Sequence, residues 1–180
     1  LEALRRDGEL YRREDGGAVS CHGCAHRCRI QPGASGVCAM RGNRDGTLEV
    51  PWGYVNGANV DPVEKKPFYH FLPGTRAFSF GMLGCNLRCP FCQNWQISQV
   101  ARDPDAAGWQ LQRTSPEQIA QAAKQADCAS VASTYNEPLI TSEWGRAVFQ
   151  EAQQRGLRTA YVSNGFATPE VLDYLTPVLD

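Results

Sequence analysis

No charge dominates this chain of 180 residues: 18 basic side chains stand against 19 acidic ones, a formal net charge of -1. That balance leaves no electrostatic footprint for nucleic acid or for an anionic membrane surface. No apolar run is long enough to cross a bilayer. The first residues, Leu1 to Asp7, are charged and lack the apolar centre of an export signal. Internal repeats and low-complexity segments are absent. The chain does not begin with Met, which fits a trimmed start. Its length suffices for one core with a small appendage.

Cysteine, in contrast, is plentiful and clustered: eight residues, seven of them in two groups. Metal-like spacing without an export signal points to thiols held in a reducing cytoplasm. A disulfide framework fits poorly, because a chain of this length and composition needs no staples. The group Cys85-x-x-x-Cys89-x-x-Cys92 follows directly on an apolar strand read over Ala77 to Phe80. A cubane iron–sulfur cluster held by protein alone takes four thiolates. Three on one loop hold three irons and leave the fourth open, as catalytic zinc sites also keep one position open. Zinc would need a fourth ligand nearby, and Asn86, Gln93 and Asn94 are poor ones. A zinc knuckle or a cluster of buried thiols is the weaker alternative. The second group is Cys21, Cys24, Cys28 and Cys38, with His22 and His26 between them able to replace one thiolate. It suits structural zinc or a fully ligated cluster, with plain buried thiols as the alternative.

Residues 1–74 read as a loop-rich, Cys-bearing extension, with short strands at Glu9–Arg12 and Ala18–Ser20 and a hairpin strand over Leu48–Val55. Val60 to Gly74 reads as a connector ending in aromatic residues. From 75 to 180 strand and helix alternate. Strands are expected at Arg76–Phe80, Ala129–Thr134 and Leu157–Val162. Ser115-Pro116-Glu117-Gln118 is a capping box opening one helix; a second runs Trp144–Arg155 up to Gly156; a third opens at Thr168-Pro169-Glu170 and stops before Pro177. Three strand–helix units predict a parallel sheet in an α/β fold, too few to close an eight-unit barrel. Cys128 is expected to be a small buried hydrophobe and Trp95 a core aromatic.

Cys85, Cys89 and Cys92, with Phe91 before the last of them, resemble the signature of the radical S-adenosylmethionine (radical SAM) superfamily. Over the whole chain the motifs Cys21 to Cys28, Glu64-Lys65-Lys66-Pro67-Phe68-Tyr69-His70-Phe71, Cys85 to Trp95, Thr134 to Pro138 and Ser163-Asn164-Gly165 resemble the radical SAM proteins of the AmmeMemoRadiSam system. Those proteins are relatives of pyruvate formate-lyase activating enzymes. The resemblance implies a partial (β/α)6 barrel, of which this chain is about the first half. It implies a [4Fe-4S] cluster on Cys85, Cys89 and Cys92 and S-adenosylmethionine as cosubstrate. Glu137 resembles the Glu of a Gly-Gly-Glu motif that holds the methionine amino group, with Tyr135 and Asn136 in place of the two glycines. Asn136, Ser163 and Asn164 complete the cosubstrate rim, and Phe91 is a candidate wall against adenine.

The expected function is reductive cleavage of S-adenosylmethionine to a 5′-deoxyadenosyl radical that abstracts hydrogen from a substrate. A glycine on a glycyl-radical enzyme is the candidate target. The electron donor would be of flavodoxin or ferredoxin type. Two alternatives stand beside it: a non-catalytic zinc-binding module for RNA or protein partners, and a ferredoxin-like electron carrier.

Overall fold

The structure, a computed structural model, describes residues 2–103 and 111–180. Short strands and tight turns make up the first part. β1 (Arg5–Asp7), β2 (Tyr11–Arg13), β3 (Val19–Cys21), β4 (Arg29–Ile30), β5 (Gly42–Arg44) and β6 (Thr47–Pro51) form two antiparallel three-stranded sheets, ordered β2-β3-β4 and β1-β6-β5. Leu48 and Val50 of β6 meet Val19, Cys21 and Ile30 in a small apolar cluster between those sheets. β7 (Tyr54–Val55) pairs with β10 (Gln112–Arg113).

The larger sheet is built from β8 (Gly57–Pro62), β9 (Arg76–Gly81), β11 (Ser130–Ser133) and β12 (Arg158–Tyr161), ordered β12-β11-β9-β8. β9, β11 and β12 are parallel, as the alternation of strand and helix predicts. β8 is antiparallel to β9 over six residue pairs, from Gly57 with Gly81 to Pro62 with Arg76. This corrects the expectation that the connector begins at Val60. Gly-Ala-Asn-Val-Asp-Pro has too few β-branched or aromatic residues to announce a strand, and its place on an edge explains why it tolerates them. The sheet therefore draws one strand from the segment before residue 75.

Register divides the sheet faces, because side chains alternate along a strand. Phe80 and Val131 face α2 (Pro116–Gln125) and α3 (Ser142–Gln154), packing with Ile119, Ala123, Val148 and Phe149. The opposite face carries small or polar residues: Ala77, Ser79, Ser130, Ala132 and Ala160, with Asn59 and Asp61 on β8. α2 starts at its capping box: Ser115 Oγ accepts from Gln118 N at 3.3 Å, and Gln118 Oε1 accepts from Ser115 N at 2.8 Å. Such a cap contributes about 1 kcal/mol. α4 (Pro169–Leu175) is capped by Thr168, whose Oγ1 accepts from Val171 N. The main core joins these helices to Leu10, Met40, Tyr54 and Val55 of the first part. Trp144 and Phe149, both fully buried, add roughly 2–3 kcal/mol each by area removed from water.

Candidate functional site

Three loops leave the C-terminal ends of the parallel strands, and their side chains meet. The first, after β9, carries Cys85, Cys89 and Cys92, all half-buried and none in a disulfide. Cys92 N donates to Cys89 O at 3.1 Å, closing a turn between the last two thiols. Leu87 N points at Cys85 Sγ at 3.5 Å, and Cys92 Sγ lies 3.5 Å from Ser98 Oγ of the short helix α1 (Trp95–Ser98). Burial pushes the Cys85 thiol up, while the N–H groups of Leu87 and Glu137 draw it down and the Glu137 charge adds to the rise. Gly84 is the point where the loop meets the first part of the chain. Its φ is +84°, and a Cβ there would lie 2.2 Å from Met40 Cγ, so only glycine fits. Arg102 clamps the loop from outside, donating to Cys85 O at 2.6 Å, Leu87 O at 3.3 Å and Val37 O at 2.6 Å. No motif marks Arg102 in the sequence.

The second loop follows β11. Asn136 is buried, and its Oδ1 accepts from Met82 N at 3.0 Å, so it fixes the start of the cysteine loop. Glu137 is 3% exposed, and its environment is built. Oε1 accepts from Leu139 N at 2.9 Å and Ser163 Oγ at 2.7 Å; Oε2 accepts from Asn164 N at 2.8 Å. Burial raises the carboxyl above its ordinary range against the pull of those three donors. The third loop, after β12, brings Ser163 and Asn164. Asn164 Nδ2 donates to Asn86 Oδ1 at 2.9 Å, returning to the cysteine loop. Glu137, Ser163, Asn164 and Asn86 thus tie all three strand ends together. Asn86, the one of these four not expected at the rim, carried no signal beyond its place between Cys85 and Leu87.

Phe91 and Trp95 are both exposed, at 82% and 58%. The expectation that Trp95 is a core aromatic is corrected: α1 is a single turn lying on the surface, and its inward position is taken by Ser98. Cys128 is buried, as expected for a small hydrophobe.

In the first part, Cys21, Cys24 and Cys38 are buried and Cys28 is half-buried. Burial raises the Cys24 and Cys38 thiols. Backbone N–H groups oppose it, from His26 toward Cys24 and from Met40 and Arg41 toward Cys38, and Val37 N donates to Cys28 Sγ at 3.4 Å. Among the described residues, no three His, Cys, Asp or Glu side chains are gathered around a point as ligands of one metal ion. The histidines are engaged elsewhere. His26 Nε2 donates to Asn86 O at 2.9 Å, and its ring meets Phe166 edge-on; His22 Nδ1 lies 3.9 Å from Glu170. Among the described residues, no helix is long and apolar enough to cross a membrane.

Residues 80–178 match the Radical SAM superfamily. Over 171 residues the chain is 36% identical to an uncharacterized protein of Methanocaldococcus jannaschii, covering 94% of this chain and 50% of that protein. The chain spans about half the length of that relative.

Proposed function

The chain belongs to the radical SAM superfamily, and on that premise we propose that it is the cluster-bearing part of an enzyme that cleaves S-adenosylmethionine reductively. The superfamily implies a [4Fe-4S] cluster, and the donor set fits one: three unpaired, half-buried thiols on one loop, with no fourth thiolate in it. Cys85, Cys89 and Cys92 would hold it, leaving one iron for the amino and carboxylate groups of the cosubstrate. When bound, that cluster supplies the electron that breaks the sulfonium C–S bond and yields a 5′-deoxyadenosyl radical.

The chain's own residues bind and orient. Glu137 Oε2 accepts one hydrogen bond, so the carboxylate keeps an acceptor position for the methionine ammonium. Ser163 and Asn164 hold that carboxylate in place, and Asn136 holds the cysteine loop. Phe91, exposed beside Cys92, is the candidate wall against adenine. The observation that carries the proposal is the buried Glu137 carboxylate, joined by hydrogen bonds to the β12 loop and facing Cys85 through its own amide.

We extend the proposal to the parallel strands β9, β11 and β12, as the first half of a (β/α)6 partial barrel over 75–180, with β8 of the Cys-bearing segment 1–74 added antiparallel at its edge. The hydrogen donor is a backbone glycine of a glycyl-radical enzyme, by the likeness to activating enzymes. A flavodoxin- or ferredoxin-type protein supplies the electron, and the setting is a reducing cytoplasm. Cys21, Cys24, Cys28 and Cys38 form a second site for zinc or an iron–sulfur cluster, supported by the main-chain N–H groups aimed at Cys24, Cys28 and Cys38. The thiols would have to close in to ligate.

Anaerobic reconstitution tests both parts. Wild-type protein with a strong reductant should form 5′-deoxyadenosine, and Cys89→Ala should form none; turnover by the variant would overturn the assignment. Cys38→Ser should lose metal beyond the cluster iron, whereas Cys128→Ser should lose none. Equal metal content in all three proteins would remove the second site.

A further inference from the structure

Tyr135 has a φ of +73°, and across it Asn136 N donates to Thr134 O at 3.0 Å. That is a γ-turn of the positive-φ hand, rare and strained for a residue with a Cβ. Such strain persists only where the surroundings over-determine it. Here they do. The Tyr135 hydroxyl donates to Asp61 Oδ2 at 3.1 Å and accepts from Asn59 Nδ2 at 3.2 Å. Asp61 is held in turn by Lys65 Nζ at 2.8 Å and Lys66 Nζ at 2.6 Å. Lys66 is buried, and its ammonium also lies 5.0 Å from the centre of the Tyr135 ring. From the other side Gly81 gives the turn room. A Cβ there would lie 2.9 Å from Thr134 O and 3.0 Å from Tyr135 Cβ.

The turn leads in one direction only, to the rim. Asn136 Oδ1 takes Met82 N at the root of the cysteine loop, and Glu137 comes next. Asp61, Lys65 and Lys66 touch neither thiol nor Glu137 in any hydrogen bond or ion pair found among the described residues. Their line of action on the rim runs through the phenol.

Building on the cosubstrate site proposed above, we infer that Tyr135 is a positioning residue whose phenol, gripped by Asp61, Lys66 and Asn59, keeps the γ-turn closed and so sets Asn136 and Glu137. This gives the Lys65-Lys66 pair a role. It is the anchor of the strained turn rather than part of the reacting centre.

Equilibrium binding of S-adenosylmethionine to the anaerobically reconstituted protein tests the inference, with iron and sulfide content measured in parallel. Tyr135→Phe keeps the ring and loses both hydroxyl hydrogen bonds. It should weaken binding about tenfold at unchanged iron content. Tyr135→Gly removes the strain together with the anchor, and should bind more tightly than Tyr135→Phe. A residue that only packed, or that touched the ligand, would give the reverse order. Asn59→Ala, at an exposed position where folding is safe, should weaken binding about threefold. Affinity equal to wild type in Tyr135→Phe and Asn59→Ala, or a glycine variant weaker than the phenylalanine one, overturns the role of Tyr135. Wild-type protein that carries its full iron and sulfide yet binds no S-adenosylmethionine overturns the site reading instead.

Discussion

Replacing Arg41 by Leu should be the most damaging single change outside the rim. Arg41 and Glu143 are 2% and 0% exposed in their side chains, so neither reaches water in the folded protein. The guanidinium grips the carboxylate with two bonds, Nη1 to Oε2 at 2.7 Å and Nη2 to Oε1 at 2.6 Å. Nη1 also donates to Ile140 O at 3.1 Å, and Glu143 Oε1 takes Glu9 N at 3.2 Å and Leu10 N at 3.3 Å. Burial alone would raise the Glu143 carboxyl; the Arg41 charge overcomes it and holds it below its ordinary range. Removing the guanidinium leaves that charge dry, with two long bonds from backbone amides. Breaking a buried pair in this way costs about 3–5 kcal/mol. For a chain of this size the melting temperature should fall by roughly 6–20 °C. The double variant Arg41→Leu/Glu143→Gln removes the stranded charge but keeps an acceptor for Glu9 and Leu10. It should recover about 2 kcal/mol over Arg41→Leu in urea denaturation at equal m-value. A single variant within about 1 kcal/mol of wild type would show that the pair is not desolvated. A double variant no better than the single would show that lost packing, not lost charge, does the damage.

Three further outcomes follow from close contacts and charge. Gly84→Ala must place a Cβ 2.2 Å from Met40 Cγ at a φ of +84°, so cluster iron per chain should fall and stability drop by about 2–4 kcal/mol; full iron content would show the loop able to shift. Gly81→Ala presses on Thr134 O and Tyr135 Cβ, and should cost about 1–3 kcal/mol while weakening cosubstrate binding; unchanged binding would separate the turn from the rim. Burial would raise Asp61, but hydrogen bonds from Lys65 and Lys66 win and hold it at about 2, against an ordinary 3.8. A lowered carboxyl stabilises above its unfolded value and loses that contribution as pH falls through the folded one. The urea midpoint gap between wild type and Asp61→Asn should therefore be constant above about pH 5, correspond to roughly 2 kcal/mol, and shrink toward pH 2; a gap unchanged at pH 2 would remove the assignment.

The parallel strands and the α2 start were legible because their signals are local. Ser115 and Gln118 bond each other within one turn, and apolar runs mark β9 and β11. The thiol loop was legible from spacing. The features that local sequence does not announce depend on partners far along the chain. β8 pairs through its backbone, which a Gly-Ala-Asn stretch does not advertise. Trp95 looked like a core residue because aromatics usually are, yet α1 is too short to turn it inward. Arg102 and Asn86 act through carbonyls and one amide, contacts with no residue-type pattern. Tyr135 looked like a departure from a glycine position. The backbone there adopts a glycine-like φ nonetheless, because Asp61, 74 residues earlier, holds the phenol.

Asn86 is where the N-terminal segment meets the cysteine loop. It is 2% exposed and lies between Cys85 and Leu87. Its carbonyl takes His26 Nε2 and its Oδ1 takes Asn164 Nδ2. Around it, Ala25 N donates to Phe166 O at 3.0 Å, Thr168 Oγ1 to His22 O at 2.5 Å, and Arg27 grips Glu170 with two bonds. The Cys21–Cys28 loop is therefore seated on the same β12 loop that holds Glu137. One buried residue joins the Cys85 loop to the His26 ring and to the rim. The segment between Cys21 and Cys28 is thus in direct contact with the Cys85 loop, through the His26 ring and the Asn86 carbonyl.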